Sequence, residues 1–133
     1  MSDVDTFARR WQLIAALSGA AVVVIGAFGG HGLRHLVGPE LQQTWRTAVE
    51  YQFLHTLALL TLALKNDCFR WRWSMRLWLL GVFLFSGSLY ALVLTGQHLV
   101  AFVTPLGGLT FIAGWLVLAW VAWSRRGAAP AAK

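Results

Sequence analysis

The chain has 133 residues, of which 58% are hydrophobic and 12% charged, and it carries a formal net charge of +6. That is room for one domain, yet a soluble domain this short cannot cover so much apolar side chain with its own surface, and its charged fraction is about half the ordinary one. The cations stand in short clusters between apolar runs rather than along one face or tail, which speaks against a nucleic-acid binder and for loops held at a membrane surface.

The first apolar run covers residues 11–30 and follows Arg9 and Arg10. Paired cations before such a run also suit a signal peptide or a twin-arginine signal, and Ala27-Phe28-Gly29 has small residues at a cleavage spacing. The run is longer than the roughly 7–15 residues of a signal core and no soluble passenger follows it, so an uncleaved helix is favoured. Further runs cover 48–64, 77–95 and, for the last, 105–123. Each is close to the 17–25 residues that cross a hydrocarbon core of about 30 Å, and each should be helical because an unpaired peptide group in lipid costs several kcal/mol. Pro105 is placed at the first position of the last helix with Thr104 as its cap, and 97–103 would dip into the outer interface; the rival is one longer helix kinked at Pro105. The expectation is an all-α fold, an integral membrane four-helix bundle forming one domain over 1–133, with 124–133 as a flexible cytoplasmic tail.

Orientation follows from the cations. Arg9 and Arg10, then Lys65, Arg70, Arg72 and Arg76, then Arg125, Arg126 and Lys133 all fall on one side, nine of the eleven Lys and Arg residues. Only Arg34 and Arg46 fall on the other. The positive-inside rule puts both termini and Cys68 in the cytoplasm, where the thiol should meet an impermeant reagent. A single cysteine allows no internal disulfide and fits a reducing compartment. Arg70, Trp71, Arg72, Trp73, Arg76 and Trp78 interleave cations with indoles before the third run, which suits anchoring at the headgroups with a leaning to anionic lipid.

Helices in lipid associate through close backbone approach, so small residues mark contact faces. They recur every seven residues: Gly19 and Gly26; Gly81, Ser88 and Thr95; Gly107 and Gly114. That period keeps one seam facing a neighbour, and Gly26 with Gly30 adds a GxxxG spacing. Gly19, Gly26, Gly30, Gly81, Gly107 and Gly114 are the expected packing positions.

Polar residues inside a span are functional candidates by default. They gather around the second run, where a helical arc puts Tyr51, Gln52 and His55 with Ala48 and Leu59, and puts Arg46, Thr47 and Glu50 nearly opposite. Tyr51, Gln52 and His55 are therefore expected to face inward, with Glu50 beside Arg46 near the outer surface. Ser86, Ser88, Tyr90 or Thr110 are the expected partners of His55, with His31 as the alternative. His31, Glu50, Tyr51, Gln52, His55, Ser86, Ser88 and Tyr90 make up the candidate polar cluster. All four histidines, His31, His35, His55 and His98, fall on the outer half. His31 and His35 have i,i+4 spacing, and with His55 they are the residues a metal would use, but no fourth ligand or thiol stands with them, so no metal and no cofactor is expected. Phe85-Ser86-Gly87-Ser88 imitates a catalytic Gly-Ser turn, yet it lies mid-helix without a paired acid and base; no catalytic residue is assigned.

With these residues in hand, the chain resembles the YgdD-like family of small four-span membrane proteins. The resemblance rests on Gly26-Ala27-Phe28-Gly29-Gly30-His31-Gly32-Leu33, on Thr47-Ala48-Val49-Glu50-Tyr51-Gln52 with His55 and Ala58-Leu59-Leu60, and on Phe85-Ser86-Gly87-Ser88-Leu89-Tyr90. Leu94-Thr95-Gly96, Thr104-Pro105-Leu106-Gly107-Gly108 and Gly114-Trp115 complete it, while Gly30 and Thr56 stand where the family pattern has alanine. It implies a multi-pass membrane protein, and no reaction, substrate or cofactor comes with it. The expected location is the cell membrane, as a bacterial inner-membrane protein. The leading expectation is a non-enzymatic accessory, assembly or lipid-associated bundle, with membrane lipids, further copies of the chain or another membrane protein as partners and no nucleic acid. Two alternatives stay open: an oligomeric transporter or channel using Tyr51, Gln52 and His55, and a metal or haem protein using the outer histidines.

Overall fold

Each apolar run becomes a helix, and the pattern of small and polar residues decides how the helices dock. In the computed structural model, which describes residues 3–124, α1 spans Asp3–His31 and α2 spans Pro39–Ala63. After a 3-10 turn at Cys68–Trp71 come α3 at Arg72–Gly81, a π-helical turn at Val82–Ser86, and α4 at Gly87–Thr95. A further 3-10 turn at His98–Phe102 leads into α5 at Thr104–Trp123. No strand occurs among the described residues. Arg125, Arg126, Lys133 and nearly all of the expected tail at 124–133 lie outside the described residues.

The helices run up and down. Gln12 meets Ala63 and Ser18 meets Thr56, so α1 and α2 are antiparallel. Ser86 meets Ala48 and Trp78 meets His55, so α2 is antiparallel to the helical run from α3 to α4. Ser88 meets Thr104 and the face of Gly81 meets Phe111, so α5 returns antiparallel to that run. The start of α1, the end of α2 and the start of α3 therefore share one end of the molecule, and the 31–38 and 96–103 turns share the other. Gly96 ends α4 in the left-handed conformation at φ 67°, where a side chain would be strained.

Three helical runs, Asp3–His35, Cys68–Thr95 and His98–Trp123, are long and apolar enough to cross a membrane. α2 has the length, 25 residues, but Arg46, Glu50, Gln52 and His55 dilute its apolar content. Those side chains divide between its two sides: Gln52, His55 and Thr56 are buried, while Arg46 and Glu50 are exposed. α2 is thus the polar-cored helix at the centre, packed on α1, α3, the π turn and α4.

The packing departs from expectation at several places. Gly107 lies against the backbone of Leu84 and Phe85, Gly81 against Phe111 and Thr110, and Gly114 against the indole of Trp78. Gly19 and Gly26 sit at ordinary contact distance, 3.8 Å from Thr56 and 3.5 Å from Val49 for an added Cβ. Gly30 is no packing position: it is exposed with nothing within 4 Å, because α1 continues unbroken to His31 and its phase turns Gly30 outward. Gly29 takes the close contact instead, seating the indole of Trp45, whose Nε1–H donates to the Ile25 carbonyl at 3.0 Å. Thr95 lies exposed, past the end of the seam formed by Gly81 and Ser88.

Thr104 does not cap α5. It is the first residue of that helix, and its hydroxyl shares a 2.7 Å hydrogen bond with Ser88. Trp71 and Trp78 are not headgroup anchors either, being 5% and 1% exposed and packed in the core with Trp11, Leu59, Met75 and Phe111. They sit on the inner side of the third helical run; Trp73 is exposed and stacks under Arg76, and Arg72 lies over Phe69. Cys68 is fully buried, since the 3-10 turn folds it under the end of α2, so its thiol is not open to an impermeant reagent in the folded chain.

Candidate functional site

The polar side chains of α2 converge with those of its neighbours in two clusters. In the first, the Tyr90 hydroxyl on α4 donates to Gln52 Oε1 at 2.8 Å. Gln52 Nε2 in turn reaches the carbonyl and hydroxyl of Ser18 on α1, both at 3.4 Å, and Ser18 Oγ shares a 2.7 Å bond with Thr56. Three helices are tied through one amide, whose donor and acceptor sides are both used.

The second cluster is built on His55. Its Nδ1 lies 2.8 Å from the Tyr51 carbonyl, which can only accept, so Nδ1 carries the proton. Its Nε2 lies 3.2 Å from the Trp115 indole N–H, which can only donate, so Nε2 is bare. Together these fix a neutral imidazole with both nitrogens occupied. The ring stacks on Phe111 with centroids 3.6 Å apart and planes 12° off parallel, and Trp78 closes it edge-on at 6.1 Å. Beside them the Ser86 hydroxyl, at the end of the π turn, donates to the Ala48 carbonyl at 2.7 Å. A π turn widens the helix by one residue and changes its phase, which lets Ser86 face α2 while Gly81 and Ser88 face α5.

The candidate residues fall out as follows. Gln52, His55, Ser86 and Ser88 are buried and Tyr90 is half-buried within one polar interior. Tyr51 is not part of it: it is 41% exposed, with its ring against Phe85 and Phe111, because at 100° per residue it lies at the edge of the buried arc. The partner of His55 is Trp115, rather than Ser86, Ser88, Tyr90, Thr110 or His31. Ser88 bonds Thr104, Thr110 bonds the Gly107 carbonyl, and His31 is exposed at the end of α1 with Nδ1–H donating to the Ala27 carbonyl. Glu50 is exposed and with Arg46 lines a recess of about 170 Å3 between α1 and α2. His31 and His35 are exposed and do not join His55; among the described residues no group of three or more His, Cys, Asp or Glu side chains could hold a metal.

Ser18, Thr56 and Trp115 were missed as members of these clusters. A lone hydroxyl in an otherwise apolar run was the available signal for Ser18, and for Thr56 its place one step from His55 on the same arc. Trp115 gave none, since an indole in a span is as often lipid-facing as bonded.

A family described as proteins of unknown function, DUF423, matches residues 25–108 of the chain. The UPF0382 membrane protein of Haemophilus influenzae is 42% identical over 115 residues, covering 84% of this chain and 92% of that protein. The UPF0382 inner membrane protein YgdD of Escherichia coli K12 is 46% identical over 114 residues, covering 82% and 86%. The UPF0382 membrane protein SH2409 of Staphylococcus haemolyticus is 41% identical, covering 83% and 92%. No solved structure matches the chain.

Proposed function

The chain belongs to the DUF423 family of membrane proteins, and on that premise we propose that it is a four-span inner-membrane bundle with a cytoplasmic start and end, acting as a non-enzymatic accessory or assembly protein. One observation carries this reading: the side chains that a reaction would need are already engaged, most of them in holding one helix to another. Gln52 is shared between Tyr90 and Ser18, His55 has both nitrogens filled, and Ser86 and Ser88 hold Ala48 and Thr104. α2 supplies the fourth crossing, with Gln52, His55 and Thr56 shielded from lipid by the other helices and Arg46 and Glu50 on its exposed side towards the outer end. At 25 residues and 1.5 Å per residue it is about 37 Å long, enough for the hydrocarbon core.

Charge supports the orientation. Arg9, Arg10, Lys65, Arg70, Arg72 and Arg76 gather at the end that carries the start of α1, and Arg34 and Arg46 lie towards the other. Since Cys68 is buried, the test uses added cysteines in a Cys68→Ala background. Arg70 is exposed, and Gly38 has open space around it and an ordinary φ of −66°. On intact cells an impermeant maleimide is expected to label Gly38→Cys and to spare Arg70→Cys until the membrane is opened. The reverse pattern would invert the topology.

For the role itself, proteoliposomes containing the purified chain are expected to pass protons and alkali cations no faster than empty vesicles. A protein-dependent flux that His55→Leu abolishes would overturn the accessory reading in favour of transport.

A further inference from the structure

We infer that the exposed side of α2 around Arg46 and Glu50 docks on the same side of a second copy of this chain, the copies being related by a two-fold axis along the membrane normal. Among the described residues, neither Arg46 nor Glu50 has an ion pair or hydrogen bond through its side chain. They stand four residues apart on one face of α2 with the base first, which is the weaker order for a pair within one helix. On the four-span reading above, on which the inference rests for placing this face in the bilayer, both lie where a charge left to lipid is costly. A surface that carries both signs is its own complement. Under a two-fold axis Arg46 of each copy comes towards Glu50 of the other. Their spacing sets them about 6 Å apart along the helix axis, a rise that an arginine side chain spans.

The surface around the two charges suits this occupant. Arg46, Glu50, Phe53, Leu57, Leu60 and Leu64 follow one another at alternating steps of four and three residues. All are exposed except Leu60, which is half-buried. Such spacing keeps one seam of a helix against a neighbour in a left-handed crossing, here with two charged layers above four apolar ones. Arg46 and Glu50 also line the recess of about 170 Å3 whose α1 side is glycine throughout, at Gly26, Gly29 and Gly30. Gly30 has open space beside it, so the rim admits a side chain from outside. The recess is smaller than the roughly 300–1,000 Å3 of small-molecule sites, and the guanidinium of the other copy is a ligand of fitting size and sign for Glu50. A second copy answers both charges and fills the apolar seam in one contact.

The test is cysteine cross-linking of the full chain in its membrane, in a Cys68→Ala background, joined to a reversal of the charges. Under mild oxidation Phe53→Cys, on the seam, is expected to give a disulfide-linked dimer, and Leu116→Cys, exposed on α5, is expected to stay monomeric. Native mass spectrometry in detergent then counts copies for two differently tagged chains, one with Arg46→Glu and one with Glu50→Arg. Each alone is expected to self-associate about tenfold more weakly than the parent or worse, since four like charges meet. Mixed together, the two are expected to pair as firmly as the parent, because both ion pairs are restored. Thermal unfolding of each variant separates lost association from lost fold; should a reversal not fold, Glu50→Gln and the Phe53→Cys cross-link decide. A monomer in the membrane, a dimer linked through Leu116→Cys in place of Phe53→Cys, or a dimer indifferent to both reversals overturns the inference. So does a monomer holding a phospholipid that Arg46→Glu strips away, which would make the recess a headgroup site. Copies related by this axis turn over together, so inverted topology in the labelling experiment leaves the result untouched, and failure here leaves the topology standing.

Discussion

Replacing Gly107 by alanine is expected to destabilise the bundle by about 2 kcal/mol or more, and by leucine beyond about 4 kcal/mol, whereas Gly30→Ala should stay within about 1 kcal/mol of the parent. Both glycines stand in helices and both were assigned to contact faces from their spacing. The difference is what an added methyl meets. At Gly107 it runs into the backbone at Leu84 and Phe85, with Phe85 Cα at 2.7 Å. Backbone cannot rotate away as a side-chain tip can, so α5 would have to retreat from the π turn, and the Ser88–Thr104 hydrogen bond would go with it. At Gly30 the methyl meets nothing within 4 Å. Gly26 is intermediate: alanine fits beside Val49 at 3.5 Å, and leucine does not. Thermal unfolding in detergent, followed by circular dichroism, ranks the variants. Equal midpoints for Gly107→Ala and Gly30→Ala would show that α5 does not approach the π turn so closely.

What the sequence disclosed depended on whether one helix or two decided the matter. The helices themselves were legible because apolar length and the cost of bare peptide groups in lipid leave little choice. The arc of α2 was legible too, as Gln52 and His55 go in and Glu50 stays out on the strength of helical phase alone. Phase failed at its edges, where Tyr51 lies half in and half out. It also failed to choose between the adjacent glycines Gly29 and Gly30, which look alike until the indole of Trp45 arrives from α2. Trp71 and Trp78 were misjudged because an indole near the end of a span is ordinarily drawn to the headgroups. Here both lie on the side of the third helical run that faces the core, and burial decides. Nothing in Val82–Ser86 announces a π turn, which accompanies the docking of Ser86 on α2 and of the Leu84 and Phe85 backbone on Gly107 of α5.

His55→Ala is expected to cost about 2–4 kcal/mol and His55→Leu about half as much, because the ring matters more to this bundle as volume than as a polar group. The ring is 5% exposed, stacked on Phe111 and closed by Trp78, so truncation to alanine opens a cavity at the junction of α2, α3 and α5. Its polar contacts are worth less. The bond to the Tyr51 carbonyl stays within α2, and a hydrogen bond between helices in lipid averages about 0.6 kcal/mol. Leucine restores most of the volume, gives up the stacking, and leaves the Trp115 N–H to find another acceptor, which a half-exposed indole can do by turning. The two substitutions therefore separate packing from chemistry. A leucine variant as unstable as the alanine one would mean that the hydrogen bonds dominate, and two variants as stable as the parent would remove His55 from the interior. A leucine variant that folds well but loses a cellular phenotype restored only by histidine would assign the imidazole a chemical role that its filled nitrogens argue against.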